Sequence, residues 1–270
     1  KTIAGAPMQY KDKLAFVDNL QKDKCINHKL LITPGNHSLD DLVYGSSVND
    51  AVFRHLINYG RGQLSKGPGE HALAIMSQKI TVQGKGDINV QGVAVELKMA
   101  TSTKPGGGGG RLGEIAPSTA DMKSIMASIP QIAPAIDQAL LKQKSLNVVA
   151  FTQIVNQLNL QPRVRQAIGK KVFGKIFGNV VGDLVKVFSQ PNANPDEVRN
   201  QYIKANFDFY KGSEQGGSWD MLCAMSLARR SFAVMSDGTQ LIDGTVNLMK
   251  NTPAVIPGRP TEMLFQITPR

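Results

Sequence analysis

The stretch from Ile80 to Met99 constrains the fold more than any other. Ile80-Thr81-Val82 reads as a strand, and Gly84-Lys85-Gly86 turns the chain. Asp87-Ile88-Asn89-Val90 alternates polar with apolar, Gly92 turns the chain again, and Val93 to Met99 is a longer strand. A helix is expected just before this run. Pro68 suits a helix start, and Leu73, Ala74, Met76 and Ile80 give the segment from Glu70 to Lys79 one apolar face. Helix, strand, strand, strand therefore follow one another, and the tight turns commit the strands to an antiparallel sheet. The expected class is α/β: a mixed sheet flanked by helices, with a large helical insertion.

Residues 1–60 read as an N-terminal segment. It opens on an irregular polar stretch, continues with a short strand at Leu30-Leu31-Ile32 before Thr33-Pro34-Gly35, and ends in a helix over about 48–59. Val52, Phe53, Leu56 and Ile57 share one face of that helix. Residues 61–115 and 218–270 form the sheet-bearing core, with 116–217 inserted. Five glycines, Gly106 to Gly110, close the first part of the core and form a loop with no conformation of its own. In the insertion, helices are expected at about 119–129, 132–143, 147–159, 162–188 and 195–210. Pro130, Pro134, Pro162, Pro191 and Pro195 punctuate them. After it, a helix at about 218–228 leads to a strand at Ser231–Met235. Asp237-Gly238 turns the chain toward Gln240-Leu241-Ile242, and Met263 to Ile267 is a last strand.

Composition narrows the function. The 270 residues carry 41% hydrophobic residues, enough for a core, which excludes a wholly disordered chain. Cys25 and Cys223 are the only cysteines, so a disulfide scaffold is excluded. No apolar run is long enough for a membrane span. The chain begins at Lys1 with no Met and no apolar leader, the pattern of a processed or truncated chain, so no secretion or membrane attachment is expected. There are 31 Lys and Arg against 21 Asp and Glu, a formal charge of +10, which directs attention to polyanions.

The chemistry-bearing residues lie in the three-strand run. Strand periodicity puts Glu96 and Lys98 on one face, with Val95, Leu97 and Met99 on the other. A turn at Gln91-Gly92 brings Asp87 back toward the Glu96–Lys98 end. Two carboxylates and a backbone carbonyl suit Mg²⁺. Such an ion acidifies water and offsets charge on a phosphate, and a lysine beside it can orient the water or stabilise the transition state. The same alternation describes charges on the solvated face of a half-exposed strand. Spacing alone does not choose between the two.

Basic residues gather elsewhere. Lys104 and Arg111 flank the glycines, where they could meet a nucleic-acid backbone. Arg163, Arg165, Lys170, Lys171 and Lys175 lie in a stretch without acids, and helical spacing puts Arg163, Lys170 and Lys171 broadly together. No His-Glu-x-x-His, zinc spacing, nucleotide P-loop or Gly-x-Ser-x-Gly elbow is present.

Gly69-Glu70 at a helix start, Gly86-Asp87, and Val95-Glu96-Leu97-Lys98 together resemble the PD-(D/E)xK nuclease superfamily, with Gly86 where the name-giving proline would stand. The resemblance implies a restriction-endonuclease-like core of helix, three antiparallel strands, helix and strand. It implies Asp87 and Glu96 as metal ligands with the Leu97 carbonyl, Mg²⁺ or Mn²⁺ as the ion, Lys98 as helper to the attacking water, and Glu70 completing the catalytic set. DNA is the implied substrate. A non-catalytic, DNA-contacting component of a phage particle on the same fold is the alternative. Either protein would work in the bacterial cytoplasm or the virion, with self-association or a larger phage assembly open.

Overall fold

The computed structural model describes residues 3–59, 67–82, 86–100, 110–112, 117–212 and 218–269. The chain divides into two compact units. The sheet unit comprises Lys1–Gly110, Gly216–Met249 and Ile267–Arg270, and the helical unit comprises Arg111–Gln215 and Lys250–Gln266. The N-terminal segment thus belongs with the sheet, and residues 250–266 belong with the helices.

The sheet unit is α/β. Six strands, β1 (Gly35–Ser38), β2 (Ile80–Val82), β3 (Ile88–Val90), β4 (Val93–Ala100), β5 (Met221–Ser226) and β6 (Ser231–Met235), form one mixed sheet in the order β1-β6-β5-β4-β3-β2. The β2, β3 and β4 strands run antiparallel to one another, with Thr81 opposite Asn89 and Ile88 opposite Val95. The β5 strand pairs parallel to β4, with Glu96 opposite Leu222 and Lys98 opposite Ala224. Parallel neighbours need a long crossover, and here it contains most of the helical unit.

One face of the sheet carries Ile88, Val90, Val95, Leu97, Cys223, Met225, Phe232 and Val234. It packs under α1 (Tyr10–Gln21), α2 (Ser47–Tyr59) and α3 (Pro68–Met76) through Phe16, Val52, Phe53, Leu56, Ile57, Leu73 and Met76. Fully burying such side chains contributes about 1.5–3 kcal/mol each. The α3 helix lies so close that a side chain at Gly69 would meet Met99 Cε at 2.6 Å and Leu97 Cδ2 at 3.2 Å.

Several local expectations are corrected. Leu30–Ile32 lies in a 3-10 helix, His28–Ile32, while Gly35–Ser38 supplies the strand. The polar N-terminal stretch contains α1. The helix expected at 218–228 is the β5 strand, buried along nearly its whole length. Gln240 and Leu241 lie in a 3-10 helix, Gly238–Leu241, capped by Asp237 and Gln240.

The helical unit contains α4 (Thr119–Ala127), α5 (Ala133–Lys142), α6 (Val148–Gln157), α7 (Pro162–Phe177), α8 (Gly182–Phe188) and α9 (Pro195–Gly212). A Ser118–Asp121 capping box opens α4, Asn147 caps α6, and Pro162 and Pro195 occupy first turns. The expected helix over 162–188 breaks into two at Gly178, whose φ is +60°. Its core holds an aromatic cluster: Phe151 stacks on Phe188 at 5.4 Å, and Phe173 meets both edge-on.

Candidate functional site

The peptide groups of β4 alternate between its two neighbours. Val95 O accepts from Asp87 N at 2.9 Å on the β3 side, and Ala94 O accepts from Asp220 N at 2.8 Å on the β5 side. Past the end of β3 the edge of β4 would be left without a strand partner, and Asp87 covers it. Its Oδ2 accepts the Leu97 N–H at 2.8 Å. Asp87 therefore straddles Glu96, with its backbone on Val95 and its carboxylate on Leu97. Because a strand residue's N–H and C=O point to the same edge, the Leu97 carbonyl also faces the Asp87 side.

Gly86 sets this geometry. Its φ is +62°, and a Cβ there would lie 2.9 Å from Val95 O. Only glycine lets the chain turn so close against β4 before Asp87 begins the next strand.

Glu96 and Lys98 share the sheet face away from α1–α3. Lys98 Nζ stands 2.5 Å from Glu96 Oε1, and Glu96 is 4% exposed. A carboxylate so buried requires a charged partner, and Lys98 supplies it. Asp87, Glu96 and Lys98 are thus gathered about one stretch of β4.

Glu70 is placed differently. It is the third residue of α3, and both its carboxylate oxygens lie 2.8 Å from where a Gly67 side chain would begin, back over the start of its own helix. An acid there favours the helix dipole. Among the described residues, no three His, Cys, Asp or Glu side chains form a metal-holding group. The structure sets Asp87 at the edge of β4 beside Glu96 in the chain, and Glu70 does not join them in a three-residue group. Two carboxylates and the Leu97 carbonyl remain a fitting oxygen donor set for Mg²⁺, which keeps several waters of its own.

The basic residues divide. Lys104 lies outside the described residues, as do residues 106–109. Arg111 falls in a short strand, Gly110–Leu112, and its side chain is outside the description. Arg163 and Lys170 line one groove along α7 and α8. Lys171 lines a different hollow with Ser128, Gln131 and Arg163, and its Nζ donates to Ser128 O at 3.5 Å. Arg165 is not a surface cation at all. It is 1% exposed, donates to Phe188 O at 2.9 and 3.1 Å, to Val155 O at 3.3 Å and to Asn156 Oδ1 at 2.8 Å, and lies over the Phe188 ring. Burial lowers its pKa, but an arginine starts high enough to remain charged. Sequence spacing did not single out Lys186, which lines the same groove as Arg163 and Lys170 from α8. The signal was available in the helix break at Gly178.

Comparison with protein-family models, with curated proteins and with solved structures returned no match. Among the described residues, no helix is long and apolar enough to cross a membrane.

Proposed function

We propose that this protein is a metal-dependent nuclease that hydrolyses DNA phosphodiesters. One observation carries the reading: Asp87 is pinned by the Leu97 N–H beside Glu96, whose carboxylate is paired with Lys98. The order of elements supports it. Helix α3, antiparallel strands β2 to β4, helices, and then β5 alongside β4 is the order implied by the PD-(D/E)xK resemblance. Asp87, Glu96 and the Leu97 carbonyl would hold Mg²⁺ or Mn²⁺, which when bound acidifies water and offsets phosphate charge. Asp87 is fixed in place by the Leu97 amide. Lys98 orients Glu96 and sets a positive charge beside the scissile phosphate.

Purified protein with linear and circular DNA and Mg²⁺ or Mn²⁺ tests this. The wild type cleaves, and Asp87→Asn, Glu96→Gln and Lys98→Met each lose about 10²–10⁴-fold in rate while retaining the wild-type circular dichroism. Absent cleavage by the wild type, or cleavage by the variants at its rate, overturns the reading.

A DNA-contacting component of a phage particle that does no chemistry is the second reading. Arg163, Lys170 and Lys186 along one groove favour it, because they serve binding without chemistry. Stable incorporation into a particle without nicking activity would select it.

A further inference from the structure

The helical unit contains an open groove of about 790 Å³ along α7 and α8, lined in part by Arg163, Gln166, Lys170, Asn179 and Lys186. Among the described residues, three cations and no carboxylate line it. Elsewhere Lys22, Arg54, Lys98, Lys204 and Arg230 each hold an ion pair, whereas among the described residues no carboxylate pairs with Arg163, Lys170 or Lys186. Asp183 and Glu197 line an adjoining hollow that shares Lys186.

The floor is bare. Gly174, Gly178 and Gly182 all line the groove, and a Cβ at any of them would meet nothing within 4 Å. Gly178 has its left-handed φ as a reason, but Gly174 and Gly182 lie in helices, where glycine is weaker than alanine. Gly169 shows the contrast. It is also in α7, and a Cβ there would reach Phe188 Cδ1 at 3.0 Å, so packing accounts for it. No described neighbour within 4 Å accounts for Gly174, and the open space there leaves room for a close approach from outside the chain.

Arg163 and Lys170 are seven residues apart, two helical turns or about 10 Å along the axis. Cations strung along a groove suit successive charges on a polymer rather than one phosphate. The groove side chains, Arg, Lys, Asn and Gln, are those that contact nucleic-acid phosphates.

We propose that this groove binds the sugar–phosphate backbone of DNA, as a binding site of the helical unit distinct from Asp87, Glu96 and Lys98 of the sheet unit. The proposal rests on the reading of DNA as substrate, but it concerns binding alone.

Fluorescence anisotropy of the full chain with a labelled 20-base-pair duplex in EDTA, at about 50–200 mM salt, tests it without turnover. The variant Arg163→Ala/Lys170→Ala/Lys186→Ala is expected to bind more weakly, and its slope of log Kobs against log[salt] to be shallower by about 2.7, or 0.9 per lost phosphate contact. Removing three exposed charges elsewhere (Lys11→Ala/Lys24→Ala/Lys29→Ala) leaves the slope near wild type. Gly174→Leu, which fills the floor, weakens binding without lowering Tm. Wild-type affinity and slope in the groove variant overturn the proposal. So does equal wild-type binding to a poly-glutamate peptide or to phosphatidylglycerol vesicles at the same salt, since the groove would then take anions of another class. Cleavage at the wild-type rate by the groove variant removes this proposal and leaves the nuclease reading standing. Groove-dependent binding without any cleavage does the reverse.

Discussion

Two places in the molecule treat charge in opposite ways. Around β4 and Arg230 in the sheet unit, cations are tied to carboxylates. Lys98 holds Glu96, and Arg230 bonds Asp50 Oδ2 at 3.2 Å and also reaches Asp40, while Arg54 donates to the same Asp50 oxygen at 3.0 Å. In the helical unit, α7 and α8 bury one arginine against carbonyls and leave other cations along a groove. Paired charges fix geometry, as catalysis by a few groups requires. Unpaired charges on a helix surface attract whatever anion arrives, as binding requires.

The sharpest way to break this comparison is to remove the buried charge from the helical unit. Arg165→Met leaves the carbonyls of Phe188 and Val155 without their donor, and it is expected to cost about 3 kcal/mol in urea unfolding. An unchanged midpoint would mean that α7 and α8 are held by the aromatic cluster alone.

Gly86→Ala is the matching test in the sheet unit. Its left-handed φ and the 2.9 Å approach to Val95 O give an expected loss of about 2 kcal/mol. Because Asp87 follows directly, cleavage should fall more than stability does, when both are measured on the same preparation. Full activity in the destabilised variant would detach the turn from the site.

Two substitutions on one helix sharpen the comparison further. Gly169→Ala forces the ring of Phe188 aside and should lose about 1 kcal/mol. Gly174→Ala has open space and should gain up to about 1 kcal/mol from helix propensity. Thermal unfolding that moves both in the same direction would contradict the packing described.

The smallest effect concerns Arg230. Its hydrogen bond holds the Asp40 carboxyl below the usual range. A carboxylate with a lowered folded pKa stabilises the protein above its unfolded value, and that stabilisation is lost as pH falls through the folded one. Asp40 is exposed, so the gain is slight. Arg230→Ala should therefore lower Tm a little at pH 7, and the two curves should converge as pH falls through the lowered Asp40 pKa. A constant offset as the carboxyl protonates would assign the role of Arg230 to packing.

The parts of the fold that sequence revealed are those where one periodicity dominates. Strands β2 to β4 stood out because turns bound them closely. Three helices of 117–212 stood out because Pro134, Pro162 and Pro195 lie in their first turns. Strand β5 was hidden because Met-Leu-Cys-Ala-Met-Ser is buried on both faces, so no alternation separates it from a buried helix. Strand β1 was hidden because Gly-Asn-His-Ser, at the sheet edge, has no apolar residue to announce it. At the candidate site, the Glu96–Lys98 pairing followed from spacing. The Asp87–Leu97 bond depends on a backbone turn that spacing does not specify. Arg165 misled because a charge in a basic run gives no sign that its own helix buries it.

The parallel pairing of β4 with β5 also sets an order of events during synthesis. About 120 residues separate Ala100 from Met221. At roughly 5–20 residues per second, β5 leaves the ribosome some 6–24 s after β4. Throughout that interval the edge of β4 that will receive β5 has no strand to bond. The helices of the second unit, built from local contacts, form in far less time. The nascent chain can therefore form the helices of 117–212 before the sheet that carries its candidate site residues closes, while the last part of the helical unit, Lys250–Gln266, follows β5.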